Sequence, residues 1–172
     1  MTEFSEKGYV VIRNILDTKE YFNYAKENED KGIIDPQCPG SPSFYKFEKI
    51  SILQERLKLL IEKISEFSLF VTYNYFRIYK KGTVLKPHTD RPACEISMSL
   101  NLGGDDWEIG CFSYDNIPEI VLLKPGDGLV YHGCDLVHWR PGKFKGNELI
   151  QIFLHYVRQD GPNAWCKDDI LR

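Results

Sequence analysis

The chain has 172 residues, 42% of them hydrophobic and 27% charged, with 22 basic against 25 acidic side chains and a formal net charge of −3. That length predicts one domain able to bury a sizeable core, and the composition excludes a disordered chain. The near balance of charge gives no global field to attract nucleic acid or a membrane surface, and no apolar run approaches the ~18–20 residues of a membrane span.

Five scattered cysteines, odd in number and without a C-x-x-C pair, argue against a disulfide framework or a zinc finger. Met1 to Gly8 is polar and acidic and lacks the basic and apolar regions of a signal peptide. The expectation is a soluble cytoplasmic protein with reduced thiols, no membrane attachment and no evident nucleic-acid partner. Two basic pairs, Lys80 with Lys81 and Lys143 with Lys145, read as solvated loops.

In chain order, Gly8 to Ile15 is rich in β-branched and aromatic residues and predicts a strand. Asp17 or Thr18 then caps a predicted helix to about Asn28, with Tyr21, Phe22 and Ala25 as its apolar stripe. Lys31 to Phe44 holds Pro36, Pro39, Gly40 and Pro42 and is expected to be loop, long enough to overhang a site. From Lys49 to Phe67 helical spacing returns: Leu53, Leu57, Leu60, Ile61 and Ile64 share one face, a core stripe without chemistry.

After residue 68 the pattern becomes β-rich. Strands are predicted over Leu69–Tyr79, Glu95–Leu102, Glu108–Tyr114, Glu119–Leu123, Leu129–Tyr131, Val137–Arg140 and Leu149–Val157, separated by Gly- and Pro-containing turns. This spacing predicts a sandwich or small barrel rather than βαβ units: a mainly β chain with helices at its N-terminal end, of α+β class.

All four histidines, His88, His132, His138 and His155, fall in the β-rich half. On extended backbone His88 and Asp90 point to the same face, about 6.6 Å apart along the chain. A third ligand from a distant strand would complete a triad of two imidazoles and one carboxylate, the donor set of non-haem iron(II) oxygenases. An H-x-D tripeptide alone is common by chance. His138 lies on a predicted strand after a turn-rich run. Its rivals are His132, before Gly133 in what reads as a turn at the rim, and His155, deep in an apolar strand and read as a hydrogen-bonded core residue.

These residues carry a resemblance. The stretch LFVTYNYFRIYKKGTVLKPHTDRPACEISMSLNL, Leu69 to Leu102, resembles the first half of the double-stranded β-helix of the iron(II)/2-oxoglutarate-dependent dioxygenases, in their prolyl-hydroxylase-like branch. LKPGDGLVYHGCDLVHWRPGKFKGNELIQIFLHYV, Leu123 to Val157, resembles its second half, and FSEKGYVVIRNIL, Phe4 to Leu16, the opening of these enzymes.

The resemblance implies a jelly-roll or cupin-like barrel buttressed by helices. One oxygenase domain would span 1–172: helical support to about residue 68, the β-helix core over about 69–160, and a C-terminal tail over 161–172. It implies Fe(II) held by His88, Asp90 and His138, with 2-oxoglutarate and O₂ as co-substrates. The activity implied is hydroxylation of a small molecule, peptide or protein side chain, with release of succinate and CO₂. Related halogenases lack the carboxylate that Asp90 supplies, which favours hydroxylation or a related oxidation.

In relatives the far carboxylate of 2-oxoglutarate meets an Arg or Lys at the start of the last strand. Here positions 147 to 151 carry no basic residue. Arg140, two residues past His138 and on the same face, is the nearest substitute, able to meet a carboxylate bidentately. Tyr79, Gln151 and Arg77 are further candidates for that pocket, with Arg91 a basic alternative. Gln37 to Tyr45 and Gly161 to Asp169 are candidate lids by composition. The competing readings are a cupin-like metalloenzyme that does not use 2-oxoglutarate and a non-catalytic β-barrel binding module.

Overall fold

The computed structural model describes residues 2–45 and 47–169. The last three positions of the expected 161–172 tail therefore lie outside the described residues, as does Met1 of the N-terminal segment. The elements run α1 (Glu3–Lys7), β1 (Tyr9–Ile12), α2 (Lys19–Glu27), β2 (Ile33–Ile34), β3 (Pro42–Tyr45), α3 (Glu48–Ser65), β4 (Leu69–Lys80), β5 (Ile96–Gly104), β6 (Ile109–Phe112), β7 (Pro118–Val121), β8 (Gly128–His132), β9 (His138–Trp139) and β10 (Glu148–Arg158), with a closing 3₁₀ turn at Ala164–Asp168.

The strands form two antiparallel sheets: a larger one ordered β1-β8-β5-β10-β4-β3-β2 and a smaller one ordered β7-β6-β9. The period-2 alternation decides what each face meets. On the outer face of the larger sheet, Ile96, Met98 and Leu100 of β5 and Ile150, Ile152 and Leu154 of β10 pack under Ile50, Leu53 and Ile61 of α3 and Tyr21 and Ala25 of α2. Each fully buried aliphatic side chain there contributes roughly 1.5–3 kcal/mol. The alternate residues face the interior between the sheets and are far more polar: Ser97 and Ser99 of β5, Gln151 and His155 of β10, and Arg77 and Tyr79 of β4 are all buried. A buried polar face needs hydrogen-bond partners.

Charge ties the helical layer to the sheet. Lys26 of α2 bridges Glu29 (2.5 Å) and Glu148 (2.8 Å), and Lys80 at the end of β4 bridges the same two carboxylates at 2.5 and 2.9 Å. Among the described residues, no helix is long and apolar enough to cross a membrane.

Two sequence expectations need correction, and one short helix shows no signal in the sequence. The strand expected over Gly8 to Ile15 forms β1 and pairs with β8, but the expected loop over Lys31 to Phe44 also enters the sheet, β3 pairing with β4 and β2 with β3. Within the expected loop, Pro42 opens β3 at the strand's first position, where a missing N–H is tolerated. Phe44 then stacks on Phe76 at 4.3 Å and draws the segment onto the sheet. The short helix α1 escapes the periodicity because it has only five residues, although Thr2 caps Ser5 N (3.2 Å) and Gly8, at φ 80°, ends it. Finally, His132 is not a rim residue in a turn. It ends β8 and donates its backbone N–H to Gly8 O at 3.0 Å, and Phe4 of α1 stacks on its ring at 4.8 Å.

Candidate metal centre

His88 lies in the connection between β4 and β5, fifty residues before His138 at the start of β9. The two are joined directly by backbone: His88 N–H donates to His138 O (3.1 Å), and His138 N–H donates to His88 O (2.9 Å). Asp90 N–H donates to Gly133 O at 2.7 Å, which fixes the chain two residues on. The extended backbone through Thr89 then presents His88 and Asp90 to the same side. Ligand atoms of His88, Asp90 and His138 all lie within 4.8 Å of one another.

Each ring has its tautomer set by the main chain. His88 Nδ1 is 2.8 Å from Lys86 O and His138 Nδ1 is 3.0 Å from Leu136 O, so each Nδ1 carries the donated proton and Nε2 keeps its lone pair. Both Nε2 atoms face Asp90 Oδ1, at 3.8 Å for His88 and 3.5 Å for His138. Burial, and then the neighbouring His138, push the His88 pKa below its ordinary value, which favours the neutral, ligating imidazole. Burial works against the Asp90 carboxylate, but the histidines around it, His138 foremost, outweigh that, and its pKa is lowered. Two imidazole nitrogens and an ionised carboxylate oxygen on one side of a point are the donor set for a divalent transition metal with open positions.

The triad opens into a narrow cavity of about 20 Å³, also lined by Gln37, Tyr75, Arg77, Tyr79, Arg140 and Phe153 among others. The two arginines differ in their partners. Arg77 donates Nε to Ser43 Oγ (2.8 Å) and Nη1 to Gln37 Oε1 (3.1 Å), and pairs through Nη2 with Asp35 Oδ2 at 2.5 Å. Its charge is compensated. Arg140, 3% exposed, donates Nη1 to Trp107 O (2.5 Å) and Nη2 to Gln151 Oε1. Its guanidinium lies 5.5 Å from the ring centroids of Tyr79 and Trp107. Among the described residues, Arg13, Arg77, Arg91 and Arg158 make the arginine ion pairs, and Arg140 makes none. Burial pushes its pKa below the ordinary arginine value.

Three buried polar atoms in this corner, Tyr79 Oη, Arg140 Nε and Gln151 Nε2, have no hydrogen-bond partner of good geometry among the described residues. All three can donate. Burial pushes the Tyr79 phenol up, so it keeps its proton at neutral pH. An uncompensated buried cation beside orphaned donors is costly unless an anion joins them.

Sequence reasoning brought Arg140, Tyr79 and Gln151 to this corner. It missed Trp107, whose carbonyl anchors Arg140, and Asp35, which holds Arg77 together with Gln37 of the expected lid tract. Neither missed residue sits in a periodic pattern. Arg91, the further basic alternative, pairs instead with Asp169 and lies over Tyr73. Of the expected lids, the Gln37–Tyr45 tract supplies Gln37 to the cavity and the 161–169 segment supplies Asp169 to Arg91. His155 takes the place expected of it, 2% exposed with Nδ1 against Ser97 Oγ at 2.8 Å. A broader basin of about 460 Å³, lined by Pro39, Val84, Lys86 and Pro87, shares Gln37, Leu85 and His88 with the inner cavity.

No protein-family model matches the chain, and no curated protein matches it by sequence. Solved structures do match by shape. A Pseudomonas putida prolyl-4-hydroxylase superposes with a TM-score of 0.74 at 13% identity, over 91% of this chain and 95% of that one. HygX from Streptomyces hygroscopicus, with nickel and 2-oxoglutarate bound, gives 0.74 at 14% identity, over 91% and 85%. The epimerase SnoN, in complex with Fe³⁺, α-ketoglutarate and nogalamycin RO, gives 0.77 at 14% identity, over 98% and 90%. Likeness at such identity speaks for architecture: the chain has the double-stranded β-helix fold of the 2-oxoglutarate/Fe(II) oxygenases.

Proposed function

We propose that this protein is an Fe(II)- and 2-oxoglutarate-dependent oxygenase that hydroxylates a small-molecule or peptide substrate. Under this reading His88 Nε2, Asp90 Oδ1 and His138 Nε2 hold the metal. Arg140, with Tyr79 Oη and Gln151 Nε2, receives the far carboxylate of the co-substrate. The observation that carries the reading is the pairing of two incomplete features in one cavity. One is a three-donor cluster with its tautomers fixed; the other is a buried guanidinium that lacks a carboxylate.

When bound, the ferrous ion and 2-oxoglutarate would activate O₂, one oxygen atom passing to the substrate and the other into succinate as CO₂ is released. The chain's own share is to fix both imidazoles through Lys86 O and Leu136 O, neutralise the co-substrate with Arg140, and wall the site with Tyr75, Tyr79 and Phe153. No general base is required, and none is assigned. The basin beyond Gln37 is the proposed substrate entrance, of a size that suits a small molecule or a peptide side chain.

The test is anaerobic titration of the chain with Fe(II) and then 2-oxoglutarate, following the weak visible metal-to-ligand charge-transfer band. The band should appear in the wild type and be absent in His88→Ala. Metal uptake without a band on adding 2-oxoglutarate would instead identify a cupin-like enzyme of other chemistry. Iron binding no better than that of a His88→Ala/Asp90→Ala variant would leave a β-barrel binding module. With the band in hand, succinate release in a substrate screen follows.

A further inference from the structure

Asp90 offers two oxygens, and the surroundings treat them differently. Oδ1 faces both imidazole Nε2 atoms, whereas Oδ2 lies 3.4 Å from Ser97 Oγ on β5. Ser97 is fully buried, and its hydroxyl also approaches Cys94 O at 3.1 Å and His155 Nδ1 at 2.8 Å. A serine hydroxyl has one proton to give. The Cys94 carbonyl and the Asp90 carboxylate are both acceptors; with that proton given to Asp90 Oδ2, the contact with His155 runs the other way, and His155 Nδ1–H donates to Ser97 Oγ. A donor at Ser97 Oγ strengthens the hydroxyl as a donor in turn.

The backbone around His155 is built for this. The β10–β4 register breaks between Leu154 and Tyr156, opposite Asn74 and Val71, so Thr72 and Tyr73 together oppose His155. Such irregularities re-aim side chains next to functional sites. The interrupted ladder is repaired from outside the sheet: the fully buried Gln54 of α3 donates Nε2 to His155 O (2.8 Å) and to Tyr73 O (3.4 Å), and accepts from Asn74 Nδ2 (2.7 Å) at Oε1. The Tyr73 ring lies 4.6 Å from the His155 ring. On the far side of Asp90, a Cβ at Gly133 would stand 2.7 Å from Oδ2 and 2.9 Å from Ser97 Oγ, so only glycine lets this strand end close over the carboxylate.

We infer that Ser97 and His155 are positioning residues that hold Asp90 Oδ2 away from the metal, keeping the carboxylate a one-oxygen ligand. The inference rests on the iron reading proposed above. Three single-atom ligands leave three of about six octahedral positions for co-substrate and O₂; a carboxylate gripping with both oxygens closes one of them. Without the hydrogen bond from Ser97, Asp90 loses its orientation toward the ion, so the metal is held less tightly and Oδ2 is no longer kept off the open positions.

The variants are Ser97→Ala, His155→Leu and His155→Asn, the last because its amide nitrogen falls where Nδ1 stands and can still donate to Ser97. Fe(II) affinity is measured by chelator competition on the full chain, with far-UV circular dichroism of the metal-free protein to confirm folding. Ser97→Ala and His155→Leu should each weaken Fe(II) binding by roughly 10- to 100-fold, the usual cost of losing an outer-shell partner. His155→Asn should recover most of that loss. Their charge-transfer band with 2-oxoglutarate should persist at saturating metal while slow substrate-free succinate formation falls. A merely structural His155 predicts no rescue by asparagine, and equal losses in Asn and Leu variants overturn the inference, as does wild-type affinity in Ser97→Ala. If Ser97→Ala does not fold, the two His155 variants decide. A wild-type chain that gives no band removes the iron reading itself, and this inference with it. A wild-type band with unaltered variants removes the inference alone.

Discussion

Arg140→Met separates the two roles that a buried arginine can play. In the metal-free chain the substitution removes a guanidinium buried without a carboxylate, a relief of several kcal/mol. It also strands Trp107 O and Gln151 Oε1, the acceptors of Nη1 and Nη2, at about 1–3 kcal/mol each. These terms oppose one another and are of similar size, so the melting temperature without ligand should move by no more than about 4 °C in either direction. Co-substrate binding has no such compensation. Losing a charge-assisted contact to a carboxylate costs roughly 1.5–3 kcal/mol, or about 10- to 150-fold in Kd. With Fe(II) present and 2-oxoglutarate at a hundred times the wild-type Kd, the ligand stabilises the wild type by about 2.7 kcal/mol. A variant weakened a hundredfold gains only about 0.4 kcal/mol. For a chain of this size the thermal shift on adding 2-oxoglutarate should fall from about 5–11 °C to about 1–2 °C. Differential scanning fluorimetry reads both numbers in one experiment. A full shift retained in Arg140→Met refutes the reasoning, and if Arg77→Met loses it instead, the carboxylate sits on the other guanidinium.

Three further outcomes follow from the same coordinates. Phe76, fully buried between Phe44 (4.3 Å) and Phe47 (5.3 Å), anchors β3 to the sheet, and Phe76→Ala should cost about 3–5 kcal/mol in a urea melt. At Asp127 burial opposes ionisation, but Arg13 at 2.6 Å and the N–H groups of Asn14 and Lys124 (both 3.0 Å) outweigh it and lower its pKa. A carboxylate depressed on folding stabilises above its unfolded value and loses that contribution as pH falls, so the stability gap between wild type and Asp127→Asn, about 1 kcal/mol at neutral pH, should close below about pH 4. Gly133→Ala would put a Cβ 2.3 Å from Cys94 O and 2.7 Å from Asp90 Oδ2, and chelator competition should show at least about tenfold weaker Fe(II) binding.

The β core was legible because alternation is a property of the residues themselves. Ile96, Met98 and Leu100 separate from Ser97 and Ser99 in any register that makes a strand. What escaped depended on partners that the local sequence does not contain. Pro42 reads as a loop residue until Phe76, on a strand thirty-odd residues away, gives Phe44 a ring to stack on. His132 reads as a turn residue until α1, too short to show a period, lays Phe4 across it. The same distinction divides the site. The spacing of His88 and Asp90 carries its own geometry, since i and i+2 share a face. His138 is brought to that pair by the backbone bridge between residues 88 and 138, which no local pattern encodes.

The substrate is illegible for an electrostatic reason. Asp35 already neutralises Arg77, so the cavity's own surplus is confined to the metal position and Arg140. Under the proposed reading, the positive charges of a ferrous ion and Arg140 are matched one for one by Asp90 and a dicarboxylate co-substrate. Once loaded, the inner cavity has no charge left over with which to select what enters past Gln37. Recognition then falls to the outer basin, where Pro39, Val84, Leu85 and Pro87 offer apolar walls and Lys86 a single exposed cation. Apolar walls discriminate by shape, at only about 1–3 kcal/mol per methylene-sized misfit. Shape of that kind is set by the loops around residues 37–39 and 82–88 acting together.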